Sequence, residues 1–491
     1  MNLPTATIAN SLPGADSDRR QPRALPTLFL SEMWERFSYY GMRALLVLYL
    51  VKAVGYTRDG ALEVYAVYTG LVYIAPIFGG YFADRFLGYR KAILIGGTVM
   101  MLGHVAMTFP ALLKPALGLL IVGNGFFKPN FTSLLGLQYR DQDPRRDGGF
   151  TIVYMGVNLG AFLAPFIAGT LGQKVDWSWG FAAAAFGMAF GLAQFAFTQQ
   201  RLGTTGLPPG RDGESLLRTR DWLHIGVGAA ACLAFVVLAL QVIAVAGAAW
   251  AATAWQLKAA IPVAALIGLL VSAGRGGGRA HLEQVGAILV LGFFNVFFWM
   301  GFEQAGGTMN LFADKLTDRV VLGWEIPASF FQSVNPMSIL LLAPVLSATW
   351  DRIDRTPRAL SSPTKMALGM IILGLGFVVM AIAQGRADRL GQVGPLWLFG
   401  AYVLHTVGEL CISPIGLSMV TKVSPPRMVG LMVGVWFGTF GIASYLAGRM
   451  EHLLAGSGLP LYQFLVATSV GAGALLLLVV PLLKRWMHGH G

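Results

Sequence analysis

Apolar runs of roughly 20 residues recur along the whole 491-residue chain, with short charged segments between them. A helix of that length spans the ~30 Å hydrocarbon core of a bilayer, where each backbone polar group must be hydrogen-bonded within the protein. Only 12% of the residues are charged, whereas soluble domains carry about 25%. The mean hydropathy is +0.62. The pattern therefore predicts an all-α polytopic membrane protein.

The hydropathy pattern predicts about 14 transmembrane helices. Their expected positions are 27–51, 62–82, 91–110, 113–138, 149–172, 179–199, 222–246, 251–272, 284–312, 327–350, 364–384, 395–421, 429–450 and 460–483. With the N-terminus inside, cytoplasmic loops hold about 23 Lys or Arg and the opposite loops about 10. This asymmetry predicts that both termini are cytoplasmic. It also accounts for the formal charge of +12 without a nucleic-acid partner, since no basic and aromatic soluble module is present.

The two halves of the chain contain similar motifs at corresponding positions. GGYFADRFLGYRK (79–91) and APVLSATWDRIDRTPR (343–358) each follow the second span of their half and place Asp-Arg at a cytoplasmic helix end. Such a parallel repeat is typical of two-lobed transporters, which bind substrate near the midplane. The first stretch resembles the loop signature of the major facilitator superfamily. The predicted segments are a cytoplasmic tail 1–26, a six-helix lobe 27–200, a linker 201–221, an inserted two-helix hairpin 222–273, a second six-helix lobe 274–486 and a tail 487–491.

The first predicted helix carries charges in the stretch SEMWERFSYYG (31–41), although a charge at a bilayer centre costs at least ~2.5–3.5 kcal/mol. At 100° per residue, an arc of about 100° holds Glu32, Arg36, Tyr39, Tyr40 and Arg43. Glu35 widens this arc to about 140°. Glu32 and Arg36 are four residues apart and can pair within the helix. Arg43 has no such carboxylate and requires a partner from another span.

Three other predicted spans carry a lone ionisable residue: Lys128 in the first half, and Glu303 and Glu409 in the second. One interpretation is that the charged side chains snorkel, reaching from a span end to the membrane surface, which suits Glu32. Another is that they form ion pairs with a purely architectural role. A permanently buried ion pair contributes little stability, however, because desolvation offsets most of its attraction. We favour the interpretation that these cations and carboxylates form and break pairs between lobes. Protonation of such a carboxylate would release its cation.

Polar and aromatic residues accompany these charges in the predicted spans. They are Tyr73, Asn158, Asn335, Trp299 and Trp436. Each has an ordinary explanation as an interface tyrosine, a local cap or a packing residue. Together with the charges they indicate a cavity with charged ends and apolar walls.

Several motifs resemble the proton-dependent oligopeptide transporter (POT) family, a branch of the major facilitator superfamily. The helix 1 motif comprises Glu32, Glu35, Arg36, Phe37, Tyr39, Tyr40 and Gly41. FFKPN (126–130), FTIVYMGVNLGAF (150–162), FEQ around Glu303 and GEL around Glu409 are also similar to family signatures. An extra hairpin is expected of bacterial members, which implies a multi-pass protein of the bacterial inner membrane.

The resemblance implies roles for individual residues. Proton coupling would use Glu32, Glu35, Arg36 and Glu303. The gates would be the ion pairs Arg43–Glu303 on the outward side and Lys128–Glu409 on the cytoplasmic side. Arg43 and Lys128 would bind a peptide carboxylate, and Glu409, Asn158 and Asn335 its amino terminus. Tyr39, Tyr40 and Tyr73 would line the site, and Trp299 and Trp436 would flank side-chain pockets.

These roles predict a symporter, functional as a monomer, that imports di- and tripeptides with protons and needs no other cofactor. A peptide is a zwitterion whose termini can be recognised whatever its side chains. Animal members use a histidine in the second span, but 62–82 contains none, so coupling should rest on carboxylates. His405, one turn before Glu409, could tune that carboxylate or simply be packed and neutral.

Three alternatives to peptide symport remain. The same fold can carry a non-peptide solute such as nitrate, a drug or another small anion or zwitterion. A membrane enzyme would need catalytic motifs, but no HExxH, GxSxG or P-loop occurs in the chain. A peptide-sensing receptor is also conceivable, although no signalling domain is attached.

Overall fold

The computed structural model describes residues 20–140, 143, 145–208, 255–357, 359–426 and 428–488. The predicted span 222–246, most of the linker 201–221 and the start of the predicted span 251–272 lie outside these residues.

In the described residues of the first half, the chain forms seven helices, several of which end in a π-helical or 3₁₀ turn. They are α1 (Leu25–Tyr49), α2 (Arg58–Ile74), α3 (Pro76–Phe82), α4 (Tyr89–Met107), α5 (Leu113–Gly136), α6 (Arg146–Ala164) and α7 (Trp177–Thr198). The π-helical turns are Leu50–Val54 after α1, Ala83–Leu87 after α3, and Pro165–Gly169 and Leu171–Val175 after α6. The 3₁₀ turns are Pro110–Leu112 before α5 and Gln199–Leu202 after α7. We call the two ends of the bundle the Leu25 end, where α1 begins, and the Val54 end, where its last turn finishes.

From residue 255 to residue 488, the described part of the second half forms eight helices and one short hairpin. The helices are α8 (Trp255–Phe302), α9 (Thr308–Lys315), α10 (Val334–Asp354), α11 (Ser362–Leu390), α12 (Leu396–Leu410), α13 (Ser413–Val423), α14 (Val429–Leu454) and α15 (Leu461–Trp486). The 3₁₀ turn Glu303–Gly306 joins α8 to α9, and another, Ala328–Ser333, precedes α10. Strands β1 (Val320–Val321) and β2 (Trp324–Glu325) pair antiparallel, with Val321 opposite Trp324.

Among the described residues, ten helical segments are long and apolar enough to cross a bilayer. This confirms the predicted all-α polytopic fold, while the count of about 14 spans stays a prediction. Two predicted spans contain interruptions. The chain passes from α2 to α3 at Pro76 and from α12 to α13 just before Pro414. Proline is tolerated in the first turn of a helix, where its missing N–H has no helical partner.

The predicted span 284–312 also differs from the structure. Its helix ends at Phe302, and Glu303 begins the 3₁₀ turn before α9. At its other end, α8 extends back to Trp255 and contains Gly278 with φ +65°, a conformation that favours glycine. Glu303, which is predicted to take part in proton coupling, therefore lies at a helix interruption.

Helices pack closely within each half. In the first half, α1 packs against α6 and α7, and α4 packs against α5. A Cβ on Gly96 would lie 2.6 Å from the Gly123 carbonyl oxygen, so this α4–α5 contact requires glycine. In the second half, α11 packs against α12 and α15. The halves meet where α2 packs against α14 and α6 against α10.

Large apolar side chains cover the outside of the bundle. On α7, Phe186, Phe190 and Phe197 are at least two-thirds exposed. Such a stripe is unfavourable in water but suits contact with lipid tails.

Candidate functional site

Four charges on α1 and α5 form one cluster, in which Glu32, Glu35 and Arg36 are buried and Lys128 is partly exposed. Arg36 donates two hydrogen bonds to Glu35, and its Nε lies 3.7 Å from Glu32 Oε1. Lys128 Nζ donates to the same Glu32 oxygen at 2.5 Å. The cluster holds two cations and two carboxylates, so its formal charge is zero. Glu32 is only 2% exposed, which excludes the snorkelling interpretation in this structure.

The helix that carries Lys128 is anchored next to it. Pro129 lies inside α5, where it cannot donate a helical hydrogen bond. Asn130 donates to the carbonyl oxygens of Phe126 in its own helix and Gly79 in α3. This side chain therefore fixes α5 to α3 beside the weakened turn.

Arg43 has a partner from another span, as predicted. Its Nη2 lies 2.5 Å from Glu303 Oε2, and its Nε donates to the Tyr65 hydroxyl at 2.7 Å. The guanidinium also lies 5.8 Å from the Tyr40 ring centre. All of these groups are buried apart from Tyr40, which is partly buried. The pair joins α1 of the first half to the interruption after α8 of the second.

Glu409 interacts with neutral groups. Asn335 donates to Glu409 Oε2 at 2.8 Å and to the Thr406 hydroxyl at 3.0 Å. The predicted pair of Glu409 with Lys128 is not present in this structure, because Lys128 contacts Glu32 instead. The structure does bring together Asn335 and Glu409, two of the three residues predicted to bind a peptide amino terminus, whereas Asn158 forms a hydrogen bond with neither of them.

The predicted aromatic residues are arranged around these charges. Tyr39 and Tyr40 pack edge to face with ring centres 5.3 Å apart, and Arg36 lies 5.0 Å from the Tyr39 ring centre. Tyr73 and Trp299 both pack against Phe440, at 5.6 and 4.6 Å.

Three further predicted or candidate residues contact neighbours other than the charged groups. Asn158 donates to the Tyr154 carbonyl of its own helix. Trp436 is 2% exposed and packs so closely on Gly416 that a Cβ there would lie 2.5 Å from its ring. His405 packs on Phe377 with ring centres 4.5 Å apart, which favours the packed, neutral interpretation.

Sequence reasoning missed a set of ion pairs that join the two halves at the Val54 end. They are Lys52–Asp314 at 2.5 Å, Arg58–Glu451 at 2.6 Å, Glu63–Arg449 and Lys174–Glu325 at 3.0 Å. Tyr65, which bridges towards Arg43 and Glu303, was also missed. Charges near helix ends and a tyrosine in an apolar span are ordinary features, so no sequence signal distinguished them.

Among the described residues, several polar contacts at the Leu25 end join residues of the same half. Lys365 contacts Asp354 at 2.7 Å, Arg90 donates to the Thr205 carbonyl at 2.7 Å, and Gln21 donates to the Arg145 carbonyl at 3.2 Å. The ion pairs between the halves that are named above therefore lie at the Val54 end.

Comparisons with known proteins agree with this architecture. A family model described as the POT family matches residues 90–460. The chain is 34% identical to "Peptide transporter YePEPT" of Yersinia enterocolitica, over 98% of this chain and 99% of that protein. It is 35% identical to "Uncharacterized transporter YclF" of Bacillus subtilis, over 95% of each. A solved peptide transporter POT in complex with sulfate is 33% identical, with a TM-score of 0.81 over 95% of this chain and 96% of that one. A POT family transporter in complex with 5-aminolevulinic acid is 29% identical, with a TM-score of 0.80 over 94% and 97%.

Proposed function

The chain belongs to the POT family, and from this premise we propose that it imports di- and tripeptides together with protons by alternating access. Relatives at 32% and 31% identity in Erwinia pyrifoliae and Proteus mirabilis are named dipeptide and tripeptide permeases. The observation that carries the proposal is the buried Arg43–Glu303 pair between the halves.

A buried pair of this kind suits a gate. Removing one partner of a buried ion pair costs ~3–5 kcal/mol, whereas the intact pair contributes little net stability. Protonation of Glu303 would remove one charge and weaken the contact with Arg43. Opening of the Val54 end would then be coupled to proton binding.

Lys128 would serve the opposite gate by exchanging partners. Here it contacts Glu32, while Glu409 is held by Asn335. A proton on Glu32 would neutralise that carboxylate and free Lys128 to approach Glu409, closing the Leu25 end. The Glu35–Arg36 contact would hold Arg36 in place during this exchange.

A peptide would fit between these groups because it carries both charges. Arg43 and Lys128 would bind its carboxylate, and Glu409, Asn335 and Asn158 its amino terminus. Tyr39, Tyr40, Tyr73, Trp299 and Trp436 would bound the space for its side chains. A site that reads the two termini tolerates many sequences in between.

The proposed location is the bacterial inner membrane, with the protein functioning as a monomer and both termini in the cytoplasm. The Leu25 end would then face the cytoplasm and the Val54 end the outside. One charge crossing 100 mV supplies ~2.3 kcal/mol, which for one proton per neutral peptide permits about 50-fold accumulation.

Uptake of labelled dialanine into liposomes containing the purified protein tests this proposal. The liposomes would have an inward proton gradient and an inside-negative potential. We expect accumulation that a protonophore abolishes and that unlabelled tripeptide competes away. No uptake by folded, inserted protein would contradict peptide transport and favour another solute on the same fold.

Glu303→Gln tests the coupling step separately. The variant should lose gradient-driven accumulation while retaining part of its peptide counterflow, since exchange needs no net proton movement. Loss of both activities in a correctly folded variant would contradict a role restricted to coupling.

A further inference from the structure

A cavity of about 520 Å³ lies at the Val54 end, away from the residues proposed to bind the transported peptide. It is bordered by the end of α9, the end of α11 and the beginning of α15, with Arg58 of α2 at its edge. Its volume falls within the ~300–1,000 Å³ of small-molecule sites. None of the residues assigned above to proton coupling or peptide binding lines it.

Charges of both signs border this outer cavity. Lys315 and Arg58 are its cations, and Asp388 and Glu451 are its carboxylates. Arg58 and Glu451 pair with each other, whereas Asp388 accepts a hydrogen bond from Gln384 at 2.7 Å. Among the described residues, no carboxylate is paired with Lys315.

Apart from Gln384 and Gln463, the rest of the wall is formed by apolar residues, by Tyr462 and by Gly385. Phe312 and Tyr462 are 3% and 6% exposed, with ring centres 6.1 Å apart. Leu311 and Leu461 extend this surface. The cavity therefore combines a largely apolar wall with opposite charges, the combination found in sites for small amphipathic molecules.

We propose that the outer cavity binds a small zwitterion, an amino acid or a short peptide, with its carboxylate at Lys315 and Arg58 and its ammonium at Asp388 and Glu451. A ligand with only one charge would leave one pair of protein charges without a partner. The apolar wall would contact its side chain. This binding does not depend on the proposed function, because it requires no transport.

Occupation of the cavity would also act on the contact between the halves. Arg58 belongs to α2 and Glu451 to α14, so their ion pair spans the two halves. A zwitterion that bonds to both would compete with that pair. The ligand would therefore loosen the Val54 end as it binds, favouring entry from that side.

Protection of an introduced cysteine tests the site directly. Gln463 lines the cavity and is exposed, whereas Gln392 is exposed and does not line it. In full-length protein with Cys232 and Cys411 replaced, the rate of maleimide labelling would be measured for Gln463→Cys and for the control Gln392→Cys. Dialanine should slow labelling at 463 but not at 392.

The chemical class is tested with two derivatives of the same ligand. N-acetyl-dialanine lacks the ammonium and dialanine amide lacks the carboxylate, so neither should protect at the concentration at which dialanine does. Adding Lys315→Met to Gln463→Cys should weaken protection by about two- to fivefold, as expected for an exposed charge pair. Adding Asp388→Asn should weaken it similarly.

Glu409→Gln separates the outer cavity from the proposed transport site. Protection that persists in Gln463→Cys with Glu409→Gln supports an independent outer site. The outer site would be overturned if protection disappeared in the Glu409→Gln background but survived Lys315→Met. It would also be overturned if all three ligands protected the cysteine equally, or if dialanine did not protect it. If the wild-type protein takes up dialanine but dialanine does not protect the cysteine at 463, only the outer site is rejected. If dialanine protects this cysteine but the wild-type protein takes up no dialanine, only the proposed transport is rejected.

Discussion

The two ends of the bundle hold the halves of the chain together in different ways. At the Val54 end, ion pairs join the halves and α2 approaches α14 closely at Gly448. At the Leu25 end, the polar contacts described join residues within one half. Exposed ion pairs contribute only ~0–1 kcal/mol each, so this difference can be small in free energy. An alternating transporter needs such a balance, because a ligand can shift only conformations that are close in free energy.

The Val54 end itself has an inner and an outer layer. The inner layer is the buried Arg43–Glu303 pair with Tyr65, and the outer layer comprises more exposed pairs such as Glu63–Arg449. Loss of one partner would leave an uncompensated buried charge in the inner pair, whereas solvent screens the outer pairs. We infer that the inner layer couples the end to protons and the outer layer adjusts how readily it opens.

The largest effect is expected from adding bulk where α2 meets α14. A Cβ at Gly448 would lie 2.4 Å from Ala66 Cβ and 2.6 Å from the Leu62 carbonyl oxygen. Gly448→Val should keep the Val54 end from closing, because overpacking costs ~1–3 kcal/mol, or about 5- to 150-fold in an equilibrium. Uptake should fall. Thr69 of α2 is buried, so a cysteine introduced there (Thr69→Cys) should become reactive to a thiol reagent when Gly448→Val is added.

The control for this substitution lies on the same helix. Gly438 of α14 has no neighbouring atom within 4 Å of an added Cβ. Gly438→Val should therefore leave the reactivity of Thr69→Cys unchanged. If both valine variants behave alike with unchanged thermal stability, the close approach at Gly448 does not control closure.

The next largest effect concerns Lys128 and the Leu25 end. Lys128→Gln removes the cation that contacts Glu32 in this structure and is predicted to contact Glu409 in another. Uptake should fall by about tenfold or more, because the buried carboxylate of Glu32 loses the hydrogen bond from Lys128 and an uncompensated buried charge costs ~2–5 kcal/mol. Lys114→Gln, an exposed position on the same helix, is the matched control for proteoliposome uptake. Equal uptake by both variants would contradict the partner exchange.

Much of the fold and part of this site could be predicted from the sequence. Apolar runs determine the helices because backbone N–H and C=O groups in lipid have few other ways to form hydrogen bonds. The face of α1 follows from helical geometry, and the need of Arg43 for a distant partner follows from the cost of an unpaired buried charge. These are constraints that hold in every conformation of the molecule.

Contacts that depend on conformation could not be predicted in the same way. The family resemblance implied Glu409 as the partner of Lys128, but the present structure has it on Glu32. In the proposed exchange, the carboxylate that Lys128 contacts would depend on how far the halves are separated at the Leu25 end, and the sequence does not specify one such conformation. The outer pairs, such as Lys52–Asp314, were missed because charges at helix ends normally face water.

A smaller effect is expected in the outer layer of the Val54 end. Glu63→Arg would place like charges opposite each other at Arg449 and should raise the labelling rate of Thr69→Cys by about two- to fivefold. The double variant Glu63→Arg with Arg449→Glu should restore the rate, because it re-forms the pair with reversed charges. The effect should fade at 1 M salt, where screening acts within ~3 Å. A double variant that remains as reactive as the single one would contradict a direct pair.

The smallest effect is expected at Glu325. The hydrogen bond from Lys174 and the charge of Arg319 hold the pKa of Glu325 below its ordinary value of 4.5. A lowered carboxyl pKa gives stability that is present above the unfolded value and is lost only as the pH falls through the folded value. The Lys174–Glu325 pair should therefore stay charged from about pH 5 to about pH 8, unlike a coupling carboxylate. Glu325→Gln should change uptake by less than about twofold, as for other exposed pairs, without moving its pH profile. A shifted profile would mean that the outer layer also senses protons and would remove the distinction between the two layers.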